Sequence, residues 1–220
     1  MKGASMLFQD RREAGKALAG ELESYKETPN TIVLGIPRGG VVVGHEIAKA
    51  LGAPLDVYIT RKIGAPHNPE LAIGAVASDG TLLIDHQLVR RLGVSQDYVE
   101  EESERQKKEI HRRMAEYRGA GPSPQLAGKV VILVDDGVAT GATTLATIKA
   151  IKSQGPARLI LAVPVGPRDS IESLRQEVDE LVCLHAPEIF WAVGAFYNVF
   201  DQTSDEEVKA LLNINREKGR

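Results

Sequence analysis

The sequence predicts an α/β fold: a doubly wound, mostly parallel sheet with helices on both faces, an extra long charged helix and a small C-terminal hood. Three observations carry that expectation. Apolar, β-branched runs of strand length (31–36, 55–60, 129–134, 158–163 and 180–184) alternate with segments of helical length, which implies right-handed crossovers onto a parallel sheet. The run 129–134 is continuously apolar after Lys129, the pattern of a strand covered on both faces. It ends in two acids and a turn of Gly and Thr, at the carboxyl end of a strand, where such sheets hold their ligands.

Over 10–25, Ala14, Leu18 and Leu22 recur on one face of an amphipathic helix. Strand 31–36 closes on Pro37, Arg38, Gly39 and Gly40, and the next helix, 41–51, stops before Gly52. After strand 55–60, Arg61 and Lys62 lead into 63–70, whose Gly and Pro punctuation predicts a mobile loop. Segments 71–77 and 81–84, joined through Ser78, Asp79 and Gly80, read as a hairpin at the sheet edge. Segment 95–118 is dense in Glu, Lys and Arg, so a long, largely solvated helix is expected, with Ser95 as its N-cap and a break over 119–124. Helices over 143–153 and 170–176 complete the alternation. The expected organisation is a core over 1–184, with the helical insertion near 95–118, then a hood and C-terminal helix over 185–220.

Composition narrows the classes. With 43% hydrophobic and 26% charged residues, the 220-residue chain has ordinary soluble globular composition and length for one sizeable core. Its net charge of -3 argues against a surface built for nucleic acid, while leaving room for a local phosphate pocket. Cys183 is the only cysteine, which excludes an intrachain disulfide and a cysteine-based metal site. The opening segment lacks a signal-peptide apolar stretch and no run approaches bilayer length, so the expectation is a cytoplasmic protein without membrane or nucleic-acid partners.

The chemistry concentrates in VVILVDDGVATGATT, residues 130–144. Two carboxylates against a buried strand end are costly unless they meet hydroxyls or a metal ion, and a ribose 2,3-diol with Mg²⁺ offers both. Behind them Thr140, Gly141, Ala142, Thr143 and Thr144 can turn backbone amides and hydroxyls toward one point at a helix N-terminus, as a terminal phosphate requires. No Gly-Lys-Ser or Gly-Lys-Thr comes after the glycine, which excludes a Walker-type loop. An apolar strand, two acids (Asp135, Asp136), three variable residues, then Thr140, Gly141, any residue and Thr143 resembles the signature of the type I phosphoribosyltransferases.

That resemblance implies a site. Asp135 and Asp136 would hold the ribose of phosphoribosyl diphosphate, directly or through water on a Mg²⁺ that is bound mainly by ribose and diphosphate; residues Ala139, Thr140, Gly141, Ala142, Thr143 and Thr144 would grip the 5-phosphate. Pro37, Arg38, Gly39 and Gly40 stand where the family places its diphosphate loop, with Arg38 facing the leaving group. Lys62, and with equal weight for a site or a surface role Arg61, stand at the place of the family's flexible catalytic loop. The aromatic segment around Phe190 and Trp191 looks like the hood that holds the acceptor base, although such a cluster also reads as a small core. His67, His185 and Cys183 read as plain structural residues. The implied activity is Mg²⁺-dependent phosphoribosyl transfer to a nitrogenous base, with homodimerisation left open. Members acting on 6-oxopurines carry an acid where this chain has Ala139, which puts such an acceptor in doubt. The rival is a non-catalytic nucleotide sensor on the same fold, for which no DNA- or RNA-reading segment is evident; a hydrolase lacks a water-activating base beside the turn.

Overall fold

The computed structural model describes residues 7–118 and 123–218. The first helix, α1 (Arg11–Glu21), starts at Asp10, whose carboxylate accepts the Glu13 N–H at 2.9 Å. It leads to β1 (Thr31–Gly35), α2 (Gly39–Leu51) and β2 (Leu55–Val57). Then come β3 (Thr60–Ala65), β4 (Asn68–Ala77), β5 (Leu82–Ile84), α3 (His86–Arg91) and α4 (Gln96–Arg118). The second half runs β6 (Val130–Val134), α5 (Ala142–Ser153), β7 (Arg158–Val165), α6 (Arg168–Arg175), β8 (Glu180–His185) and α7 (Asp205–Lys218).

The main sheet is parallel throughout, in the order β2-β1-β6-β7-β8. Its strands are apolar on both faces because each face has its own core. Ile32, Leu34, Leu133 and Leu161 meet Ile148 and Ile151 of α5 and Ile171 of α6 on one side. Val33, Ile132, Val134 and Ile160 meet Leu18 of α1, Ile47 of α2 and Leu212 of α7 on the other. The doubly wound reading therefore holds, and period-two packing explains why a continuous apolar run was needed.

Three expectations change. Residues 63–70 are not a loose loop: β3 and β4 form an antiparallel hairpin, with Thr60 opposite Ala77, Lys62 opposite Ala75 and Ala65 opposite Asn68. The punctuation that suggested a loop serves a bulge at Gly64, where a Cβ would lie 2.6 Å from the Pro69 carbonyl oxygen, and fully buried Ile63 anchors the strand. The hairpin of β4 and β5 does not sit at the edge of the main sheet either. Strand 55–60 stops at Val57, and β3, β4 and β5 form a separate antiparallel sheet.

The third change concerns α4, which is not merely solvated. Ser95 does cap it, accepting the Tyr98 N–H at 3.3 Å. However, Val99, Ser103, Gln106, Ile110, Met114 and Tyr117 line one buried face at spacings of three and four, against β3, β4 and α7. At its end the buried Arg118 guanidinium donates to Asp56 on β2 at 2.9 Å. The expected break after it falls largely on residues 119–122, outside the described residues.

Beyond β8, the segment up to α7 carries a small aromatic core. Phe196 and Tyr197 are buried with Phe8 and Val165, and Phe190, Val193 and Phe200 pack against them. Phe8 bridges Tyr197 in parallel, so the stretch before α1 is part of this lobe. Helix α7 instead packs on α2 and α4.

The Arg118–Asp56 pair yields a stability prediction. Arg118→Leu strands the Asp56 carboxylate in a shielded setting and should cost about 3 kcal/mol. Denaturant unfolding of the variant and the parent checks it; a loss under about 1 kcal/mol would count against the pair.

Candidate active site

The winding of the sheet creates the site. β1 and β6 are neighbours, with Gly35 opposite Val134, yet the chain leaves β1 for α2 and β2 on one side and leaves β6 for α5 and β7 on the other. A crevice opens where the connections diverge, and the start of α2 and the start of α5 both border it. The glycine loop and the acid pair are the two segments that leave this point.

The glycine loop lies directly on the acids. Ile36 donates its N–H to the Val134 carbonyl at 2.9 Å, and the peptide joining Pro37 to Arg38 is cis. A Cβ at Gly40 would stand 2.6 Å from the Val134 carbonyl oxygen and 2.9 Å from the Asp135 Cα, and one at Gly39 would stand 1.8 Å from Asp136 Oδ2. Only glycine fits here, because the end of β6, the two acids and Arg11 occupy the space a side chain would need. Arg38 is half-buried, and its charge opposes the rise in the Tyr117 pKa that burial and the bond to Asp205 impose.

The two acids are held differently. Asp135 Oδ1 accepts the Asp136 N–H at 2.9 Å. Burial, and then the adjacent Asp136 charge, push the Asp135 carboxyl well above the usual carboxylate range. Asp136 Oδ2 accepts from Arg11 Nε at 2.7 Å, while Arg11 Nη1 donates to the Asp201 carbonyl at 2.8 Å and the guanidinium lies 3.8 Å from the Phe200 ring centroid. Tyr197 Oη donates to the Asp136 carbonyl at 2.6 Å, and burial followed by the Asp136 charge keeps this phenol protonated. Arg11 and Tyr197 belong to segments far from the motif in sequence, so sequence reasoning missed both.

The turn after the acids is pinned at its base and open at its rim. Val138 donates to the Val165 carbonyl at 2.9 Å, and the Ala139 carbonyl accepts from Ser170 Oγ at 2.9 Å. Gly141, left-handed with φ +77°, caps α5. Thr140, Ala142 and Thr143 are exposed, whereas Thr144 is buried beneath them. First-turn amides have no partners within their own helix, so the start of α5 presents donors to an anion. A Cβ at Gly137 would meet Val193 at 2.4 Å, which brings the aromatic lobe against this turn.

Arg61 and Lys62 separate. Alternation along β3 puts them on opposite faces. Arg61 is turned away from the crevice and donates to Gln106 of α4; burial and then Arg113 lower its pKa. Lys62 is exposed on the face that packs toward α5, and its cross-strand partner Ala75 lines a cleft shared with Ala142. Of the two aromatics expected at the base, Phe190 is half-buried and stacked on Phe196 at 5.4 Å, a member of the small core, while Trp191 is 86% exposed. No group of three or more His, Cys, Asp or Glu that could hold a metal occurs among the described residues, and no helix among them is long and apolar enough to cross a membrane.

Fold and site together define a doubly wound α/β protein whose acid pair and glycine loop meet at the switch point of its sheet. The model of the phosphoribosyl transferase domain matches residues 5–199, and the chain belongs to that family. It is 42% identical over 207 residues to a Mycobacterium tuberculosis protein provisionally named phosphoribosyl transferase, in both strains CDC 1551 and H37Rv. That match covers 94% of this chain and 46% of the relative, so the chain spans about half the length of the curated relatives it matches. A crystal structure from Thermus thermophilus is 43% identical with a TM-score of 0.85, covering 94% of this chain and 98% of that one.

The Asp135 environment makes a sign-definite prediction. Because its native pKa is raised, the folded chain retains a proton that the unfolded chain has released, so stability falls as pH rises from about 4 through the native pKa. Asp135→Asn keeps the oxygen that accepts the Asp136 N–H and removes the ionisable group. Its unliganded melting temperature at pH 7 should exceed that of the parent by about 2–4 °C, roughly 1 kcal/mol. Below about pH 4, where the Asp135 carboxyl takes up its proton in the unfolded chain as well, the two should converge; parallel melting curves at all pH values would contradict this.

Proposed function

We propose that the chain catalyses Mg²⁺-dependent transfer of the 5-phosphoribosyl group from phosphoribosyl diphosphate to a ring nitrogen of a base, with release of diphosphate. The observation that carries the reading is the meeting, at one switch point, of an acid pair, an amide-rich helix start and a glycine loop. Those three parts match the three polar portions of the donor: a sugar diol, a terminal phosphate and a diphosphate.

The donor set fits Mg²⁺. This ion commonly takes one or two carboxylates and completes its shell with substrate oxygens and water. Asp135 and Asp136, without a third acid, His or Cys grouped with them among the described residues, are such a partial set. When bound, Mg²⁺ would supply positive charge at the diphosphate.

The remaining work falls to the chain. In the transfer the bond from C1 to the diphosphate oxygen breaks, its electron pair leaves with diphosphate, and the base nitrogen forms the new bond to C1. Asp135 and Asp136 orient the ribose by accepting from its hydroxyls, and their charge favours the oxocarbenium-like centre. Residues Ala139 to Thr144 hold the 5-phosphate through amides and hydroxyls, fixing C1 relative to both partners. The loop amides at Gly39 and Gly40 receive the diphosphate, and Lys62, exposed on β3, would close on it as charge accumulates. Arg38, beside those glycines, would face the diphosphate, whereas Arg61 would have to leave Gln106 of α4 to join it. Trp191 is the aromatic face open to stack on an acceptor, and Ala139 cannot exchange a proton with it, which favours a base other than a 6-oxopurine.

Diphosphate release from labelled donor, measured across purine, pyrimidine and pyridine acceptors with Mg²⁺ present, tests the reading. Turnover with at least one acceptor is expected. Tight donor binding with no turnover across the panel would instead indicate a sensor. In the active assay Asp136→Asn should lower turnover at least ~10-fold, equivalent to about 1.4 kcal/mol at the transition state; an unchanged rate would remove that carboxylate from the chemistry.

A further inference from the structure

We infer that Arg11 is a positioning residue: from α1 it clamps the Asp136 carboxylate against the glycine loop and ties it to the aromatic lobe, so that the sugar site is assembled by α1, β6 and the lobe together. The inference rests on the assignment of this crevice to the phosphoribosyl donor.

Three contacts made by one guanidinium support it. Nε donates to Asp136 Oδ2 at 2.7 Å, Nη1 donates to the Asp201 carbonyl at 2.8 Å, and the plane lies over Phe200 at 3.8 Å. The pair is largely shielded, with side-chain exposures of 12% for Arg11 and 17% for Asp136. Tyr197, stacked on Phe200 at 4.9 Å, holds the Asp136 backbone from the same lobe through its carbonyl. On the opposite side the pair abuts Gly39, where a Cβ would come within 1.8 Å of Asp136 Oδ2 and 2.7 Å of Arg11 Nε.

Asp136 is thus fixed on both sides, with one carboxylate oxygen committed to Arg11. The carboxylate is thereby held at a set orientation beside Asp135, and the guanidinium offsets part of the negative charge crowded at the strand end. Lysine would replace it only in part. A single ammonium lacks the planar fork that serves Asp136 and Asp201 at once while stacking on a ring.

The test is calorimetric titration of phosphoribosyl diphosphate with Mg²⁺ into the full chain and its variants. Arg11→Met keeps a long side chain over Phe200 and removes the charge; it should weaken donor binding about 10-fold. In an Asp136→Asn background the same change should cost less than about twofold, because the carboxylate it positions is gone. Arg11→Lys, which keeps the charge and is the safer variant for folding, should bind about threefold more weakly than the parent. Parental affinity in Arg11→Met or in Arg11→Lys would overturn the inference, as would a loss from Arg11→Met that persists in full beside Asp136→Asn. A parent chain that takes up no donor would instead sink the reading of the site on which the inference stands.

Discussion

The register of β1 on β6, Thr31 opposite Val130 through Gly35 opposite Val134, sets everything else in this molecule. Two parallel strands end level with each other, and their chains must then part to opposite sides of the sheet. The segments leaving the two strand ends are therefore forced into one crevice with two helix starts beside it. The loop backbone at Gly39 and Gly40 comes so near Asp135 and Asp136 that no side chain could stand between them. A slip of one residue in that register would exchange the faces of β1 and bury the wrong side chains in both cores.

The crevice strains the fold that holds it. Asp135 is pushed toward its neutral form by burial and by its neighbour, and Asp136 is kept in place through Arg11 and Tyr197. Sites that concentrate like charge in this way give up stability in favour of binding, since a ligand bringing hydroxyls or a cation relieves a conflict that the protein alone must tolerate. The aromatic lobe takes part in that tolerance. Phe200 backs the guanidinium, Tyr197 holds the acid backbone, and Phe8 joins the lobe from the stretch before α1.

Most of the frame is readable in the sequence because its signals are local. The strand, acid pair and glycine turn over residues 130–144 are contiguous, and the caps at Ser95 and Gly52 announce their helices within a few positions. Arg11 is not readable, since it meets Asp136 across 125 positions of chain and an arginine beside Arg12 early in an amphipathic helix looks like any solvated charge. The hairpin of β3 and β4 escapes a reading by punctuation because Gly64, Pro66 and Pro69 mark loops and bulges alike. The buried face of α4 is hidden by its own polarity: Glu102, Ser103, Gln106 and Arg118 are covered despite their chemistry, each through a hydrogen bond or ion pair.

The hairpin carries a thermodynamic consequence. β3 and β4 are clasped between α4 on the Ile63 face and α5 on the Lys62 face, with Arg61 anchored to Gln106 behind. A segment already paired strand to strand has surrendered its backbone freedom during folding, so an arriving ligand does not have to bear the entropy of ordering a loose loop. Any approach of Lys62 to the crevice is then the swing of a preformed arm, whose cost is the unpacking of two helix contacts and scales with buried apolar area instead of chain length.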